Sequence, residues 1–167
     1  MAIQRGTEME SSQPAVARVA DALRTQGIDA PILELSASTR TAEEAASAIG
    51  CTVAQIAKSL VFRSASGESI LVIASGSNRV DERKVALYVG EGVERASPDF
   101  VREATGYSIG GVPPIAHAQR PFAVLIDADL EQYEKIWAAA GTPHAVVCLT
   151  PALLRQASSG QMVDIKR

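Results

Sequence analysis

The sequence predicts a single α+β domain in which a mixed, curved, barrel-like β-sheet is surrounded by short helices. Three observations carry that expectation. Short β-rich runs and short helical patterns alternate irregularly along the 167 residues, with no internal repeat and no linker. One clear hairpin joins two of the runs, and no strict βαβ rhythm is present. The turn "SGSN" after the run ending at Ser75 is not a GxGxxG, and no acidic residue is placed to support a dinucleotide fold. The length suits one domain with a real core. Hydrophobic residues are 47% of the chain and aromatics only 4%, so Ala, Val, Ile and Leu must build that core.

The elements follow in order. Residues 1–13 read as a disordered tail without the apolar region of a signal peptide, and the domain as 14–167. Pro14–Thr25 is helical by the spacing of Val16, Val19, Ala20 and Leu23, with Gly27 as its stop. Pro31–Leu35 alternates and reads as a strand. Thr41 and Glu44 form a capping box that opens a helix to Ile49, and Gly50 ends it. Thr52 and Gln55 form a second box, so a second short helix is expected end to end with the first. Leu60–Ser64 and Ser69–Ser75 are the hairpin strands. Val80–Val89 is helical. Ser97, Pro98 and Gly106 mark the start and end of another helix. After the loop "GYSIGGVPPIAHAQ", Pro121–Asp127 is a buried strand and Leu130–Gly141 a helix capped by Asp129. His144–Thr150 is a strand, Thr150–Gly160 repeats the cap–Pro–Gly signature, and the run from Gln161 to Ile165 closes the chain as a strand.

Bulk properties exclude several classes. The net charge of −3 offers no general basic excess for coating nucleic acid, and no DNA partner is expected; Arg79, Arg83 and Lys84 can form a local basic patch. Cys51 and Cys148 fit no zinc spacing, and with only His117 and His144 no metal site and no cofactor are expected. Free thiols fit a reducing cytoplasm. No apolar run approaches the roughly 20 residues that span a bilayer.

A few residues stand out chemically. Lys58 lies in "AQIAKSLVF", hemmed by apolar neighbours at what reads as a helix-to-strand junction. It either caps the helix C-terminus or points a cation into a cleft. In the loop, Gly110 and Gly111 admit unusual backbone angles, while Pro113 and Pro114 fix φ and restrict Val112. The N–H groups of Gly110, Gly111 and Val112 are thus held in a stiff frame, either as a plain crossover or as donors to a carbonyl or oxyanion. His117 and His144 are candidate bases or mere capping and surface residues. No nucleophile–base–acid triad can be assembled, Cys148 reads as core, and Asp127 and Asp129 as a strand end.

The segments "IAKSLVF", "ILVIASGSNRVDERKV", "GYSIGGVPPIAH" and "AVLIDADL", in this order and spacing, resemble the YbaK/ProX family, free-standing relatives of the editing domain of bacterial prolyl-tRNA synthetases. The resemblance extends from about Thr41 to Ile165. It implies a trans-editing deacylase that hydrolyses the ester of a mischarged tRNA, usually tRNA for proline, without metal or covalent nucleophile, and with prolyl-tRNA synthetase as a candidate partner. The family lysine falls on Lys58, and its GxxxP loop on Gly110 to Pro114. By this resemblance the catalytic set is Lys58, Gly110 and Gly111, and the substrate-binding set Ser59, Val112, Pro113, Pro114, His117 and His144. The chain departs from the family at two places. Ala116 stands where the loop often has glycine. Ser59 stands where members that edit cysteine tend to carry threonine and those that edit alanine asparagine. The expected substrate is a small amino acid on tRNA-Pro, among Ala, Cys, Ser, Thr and 2-aminobutyrate. A non-catalytic module that binds tRNA or a synthetase, and a hydrolase of free amino-acid esters, are the rival readings.

Overall fold

A computed structural model describes residues 13–167. The tail expected for 1–13 lies outside these residues except for Gln13, which opens a helix. Five helices and eight strands follow: α1 (Gln13–Thr25), β1 (Ile32–Glu34), α2 (Ala42–Ile49), β2 (Ile56–Ser64), β3 (Ser69–Ser75), α3 (Glu82–Val89), β4 (Val93–Arg95), α4 (Pro98–Thr105), β5 (Ala123–Asp127), β6 (Ile136–Ala139), β7 (Ala145–Leu149), α5 (Pro151–Ser158) and β8 (Gln161–Val163). The strands form one open sheet in the order β1-β7-β6-β2-β3-β5-β8, with β4 also on β2. Pairings β2–β6, β3–β5 and β5–β8 are parallel and the others antiparallel, so the α+β class with a mixed sheet holds.

Helix starts follow the caps. Thr41 accepts from the Glu44 N–H and Glu44 returns a bond to the Thr41 N–H. Ser97 and Thr150 do the first half of this for α4 and α5, each with proline in the first turn. Such caps stabilise a helix by roughly 1 kcal/mol each.

Four expectations are corrected. The Thr52–Gln55 box forms, but it builds only a 3₁₀ turn, Val53–Gln55, because Ile56 already has extended angles and begins β2. Lys58 therefore lies inside a strand, and the helix-capping reading falls. Leu130–Gly141 is not a helix. A 3₁₀ turn, Ala128–Gln132, leads into β6, which pairs with β2 and β7. Local helix propensity in "LEQYEKIWAAA" is overridden by sheet pairing on both flanks. The cap of that turn is Asp127, which accepts from the Asp129 N–H, not Asp129. Apart from these corrections, the three-residue strand β4 is too short to leave a pattern in the sequence.

β2 organises the rest. β3 pairs it along Ala57 to Arg63. On the other flank β6 takes only Ile56 and Ala57, and β4 takes only Phe62, Arg63 and Ser64. Between them Lys58, Ser59 and Leu60 have no strand beside them among the described residues. Alternation sends Ala57, Ser59 and Val61 to one face and Lys58, Leu60 and Phe62 to the other. The first face carries the larger core, in which Val16 and Val19 of α1, Val101 of α4 and Leu154 of α5 meet Ala57, Val61 and Ile73. The second carries Phe62, Ile70 and Val72 under Val85 of α3 and Ile165.

Two devices hold the surroundings of β2. Asp127, 1% exposed, accepts from the Ser75 N–H (3.0 Å), Asn78 Nδ2 (2.9 Å) and the Asp129 N–H (3.0 Å). This locks the turn after β3 and so places Arg79. The C-terminal residues dock on the same turn: the Arg167 N–H donates to the Arg79 carbonyl and the Asp81 N–H to the Ile165 carbonyl. The glycine–proline loop is clamped as well. Tyr107 Oη donates to the Ala116 carbonyl (2.9 Å), and His117 Nε2 donates to the Pro113 carbonyl (2.7 Å). The Gly141 N–H donates to the Gly111 carbonyl (3.0 Å), and a Cβ on Gly111 would stand 2.9 Å from Thr142 Cα. Gly111 is thus a contact residue that lets the loop lie against the Gly141–Thr142 backbone.

Ala116, in the position where the resembled family often has glycine, adopts φ +67°. A left-handed alanine is strained by roughly 1–2 kcal/mol, and glycine would relieve this against roughly 0.4–1 kcal/mol of added unfolded-state freedom. Ala116→Gly is therefore expected to raise stability by about 0.5–1 kcal/mol in urea unfolding; a loss of stability would contradict the strain assignment. Asp127→Ala strands the buried Ser75 N–H and is expected to lose about 2–4 kcal/mol in the same assay.

Candidate active site

The gap on the flank of β2 opens into a cavity of about 540 Å³. That size suits a small ligand or the end of a larger one. Lys58, Ser59 and Leu60 form its floor, Trp137 and Ala138 of β6 one side, and Gly110 and Val112 of the loop another. The start of α2, from Arg40 to Glu43, closes the rim, and Arg79, Arg95 and Arg167 complete it.

Lys58 is half-buried and has no hydrogen-bond or ion-pair partner among the described residues. Burial pulls its pKa below the ordinary lysine value; Arg95 and Arg79 push it further down, while Glu43, the strongest charge acting on it, and more weakly Asp127 oppose the shift. The group is a cation held in a site that already favours anions. Five cationic residues (Arg40, Lys58, Arg79, Arg95, Arg167) and two carboxylates (Glu43, Glu82) line the cavity, so its local charge is opposite to that of the whole chain. Arg95 is steadied by the Phe62 ring, 5.7 Å from its guanidinium carbon.

The loop contributes backbone. Gly110 has φ +94°, and a Cβ there would stand 3.2 Å from Arg40 Cγ. Gly110 and Val112 line the cavity, and their N–H groups donate to no described residue. The Gly111 N–H, by contrast, is taken by the Ser108 carbonyl (2.9 Å). The stiff frame therefore leaves two donors free rather than three. Ser59, on the opposite face of β2 from Lys58, has a buried hydroxyl without a partner.

The nine residues singled out from the sequence divide into two groups. Lys58, Ser59, Gly110 and Val112 line the cavity. Gly111, Pro113 and Pro114 are buried behind the wall, and His117 holds Pro113 from below. Burial lowers the His117 pKa, and since a carbonyl can only accept, its Nε2 carries the proton. His144 is exposed just before β7, away from the cavity; its carbonyl accepts from the Leu35 N–H. Of the suggested basic patch only Arg79 lines the cavity; Arg83 lies outside its lining, and Lys84 is paired with Asp164. The unforeseen members are Arg40, Glu43, Arg95, Trp137 and Arg167. Arg40 and Glu43 flank the readable cap Thr41, which was the one available signal; the others are gathered by β4, β6 and the docked C-terminus.

Among the described residues no group of His, Cys, Asp and Glu is placed to hold a metal ion, and no helix is long and apolar enough to cross a membrane.

Known proteins resemble this chain in sequence and fold. The family model for the aminoacyl-tRNA editing domain matches residues 36–157. The uncharacterized protein YwhH of Bacillus subtilis is 35% identical over 135 residues, which is 80% of this chain and 85% of that protein. A candidate Cys-tRNA(Pro)/Cys-tRNA(Cys) deacylase of Enterococcus faecalis, EbsC, is 26% identical over 75% of this chain and 76% of its own. The crystal structure of a candidate trans-editing enzyme for prolyl-tRNA synthetase superposes with a TM-score of 0.87 at 44% identity, covering 93% of this chain and 98% of that one. With the matched region spanning the cavity floor, the glycine–proline loop and the start of α2, this chain belongs to the aminoacyl-tRNA editing domain family.

Proposed function

We propose that the domain is a trans-editing deacylase that hydrolyses the ester of a mischarged tRNA, with tRNA-Pro bearing a small amino acid as substrate. The observation that carries this reading is the unpaired Lys58 in one cationic cavity that is also lined by Gly110 and Val112, whose N–H groups have no partner among the described residues. An aminoacyl-tRNA 3′ end brings phosphate, ribose hydroxyls and an ester carbonyl. The arginines of the rim suit the phosphates. Lys58 and the N–H groups of Gly110 and Val112 suit the carbonyl oxygen as it gains negative charge. Water attacks the carbonyl carbon, the ester C–O bond breaks, and the ribose oxygen leaves as a hydroxyl. Free amino acid and uncharged tRNA result. The clamped loop supports catalysis because its donors need no reorganisation as charge develops.

Selection for small side chains rests on exclusion. One methylene is worth only about 1–3 kcal/mol by attraction, whereas the floor at Ser59 is enclosed by buried neighbours. The likeness to a candidate trans-editing enzyme for prolyl-tRNA synthetase supports tRNA-Pro as substrate and that synthetase as partner, and the reaction belongs in the cytoplasm where translation occurs.

Lys58→Ala is expected to lower single-turnover deacylation of mischarged tRNA-Pro by at least roughly 10²-fold, the loss typical of removing one stabiliser of the oxyanion. Its unfolding curve should remain cooperative, because burial of the cation opposes folding. Turnover within a few-fold of the parent would refute the role of Lys58.

The pH dependence has a definite sign. The folded pKa of Lys58 lies below the ordinary 10.5. Between those two values the unfolded chain holds more protons than the folded one, so this group makes stability rise with pH across that window. Catalysis that needs the cation should instead decline as pH rises through the folded value. After subtraction of the enzyme-free rate, the parent should show this alkaline decline, and Lys58→Met should lack the rise in stability.

A further inference from the structure

Glu43 is out of place in a site built for anions. It lines the cavity, yet its carboxylate has no hydrogen bond or ion pair among the described residues. It sits in the first turn of α2, three residues after Arg40, and Arg40 packs on Gly110. Arg40 thus brings the start of α2 against the loop, and Glu43 lines the same cavity as Gly110 and Val112. Its charge also reaches Lys58 more strongly than that of any other group, whereas Glu82, on the same rim, has no such influence.

An aminoacyl ester carries a positive ammonium one carbon away from its carbonyl. A cavity lined by Lys58 and four arginines repels that ammonium unless a carboxylate stands beside the carbonyl subsite. We propose that Glu43 receives the α-ammonium of the bound aminoacyl group, so that the site accepts free-amine aminoacyl ends and rejects N-acylated ones. This rests on the deacylase reading and adds a specificity to it. Peptidyl-tRNA and N-formylated aminoacyl-tRNA would be refused because an amide nitrogen carries no charge and its acyl group would crowd the carboxylate. Burying an unpaired carboxylate against a neutral group is unfavourable, so the discrimination arises as much from the rejected ligand as from the accepted one.

Binding tests this without relying on hydrolysis. The probes are 3′-alanylamino-3′-deoxyadenosine, whose amide replaces the labile ester, and its N-acetyl derivative. Both are titrated into the full chain and into Glu43→Gln by calorimetry near neutral pH. The parent is expected to bind the free-amine probe at least ~10-fold more tightly, in keeping with a charge-assisted contact. Glu43→Gln should bind the two within ~3-fold of each other, having lost affinity for the free amine only. Equal binding of both probes by the parent overturns the role of Glu43 and leaves the deacylase reading standing. Discrimination that persists in Glu43→Gln overturns it as well. Binding of neither probe overturns the aminoacyl site itself. Because Glu43 is exposed and makes no hydrogen bond or ion pair among the described residues, a thermal melt of Glu43→Gln close to that of the parent accompanies the expected result.

Discussion

The site depends on one geometric constraint: β2 is longer than either neighbour on its second flank. β6 ends its pairing at Ala57 and β4 begins at Phe62. The backbone between them must remain beside an opening, and Lys58, Ser59 and Leu60 occupy it. A strand paired without interruption on both sides would have sealed this position in the sheet. The alternation of the strand then distributes two functions. Lys58 presents a cation on one face, and Ser59 presents a hydroxyl toward the larger core on the other.

The opening would be only a cleft without rigid walls. Gly111 lets the loop lie against the Gly141–Thr142 backbone, and Gly141 in turn lets that segment lie against the Ala15–Val16 backbone of α1; a Cβ at either position would clash. Tyr107 and His117 hold the ends of the same loop by bonds to backbone carbonyls. The N–H groups of Gly110 and Val112 are therefore fixed before any ligand arrives. The electrostatics follow the same logic. Arg79 is set by the Asp127–Asn78 lock, Arg167 by the docking of its own N–H on Arg79, and Arg95 by the Phe62 ring. A chain with net negative charge concentrates positive charge at one place by these separate means.

Much of this was legible in the sequence where the cause was local. Thr41, Ser97 and Thr150 announced three helices through caps and prolines, and the β2–β3 hairpin showed in its β-rich runs. The family resemblance pointed to Lys58 and the loop together. What stayed hidden was non-local. "IWAA" has good helix formers around it and becomes a strand only because β2 and β7 lie on its flanks. The apolar neighbours of Lys58 suggested a helix end, whereas they are the alternating wall of a strand. Gly110 and Gly111 looked equivalent, but one N–H is free and the other is bonded to Ser108. Arg40, Arg95 and Arg167 are 55 and 72 residues apart in sequence and no spacing rule could unite them.

The central claim is that this cavity opens the ester of a mischarged tRNA. Single-turnover deacylation by the parent protein of tRNA-Pro charged in turn with proline, alanine, cysteine, serine, threonine and 2-aminobutyrate tests it directly. Rapid loss of at least one small non-cognate ester is expected, while prolyl-tRNA persists. Survival of every ester in the presence of excess folded protein would contradict it.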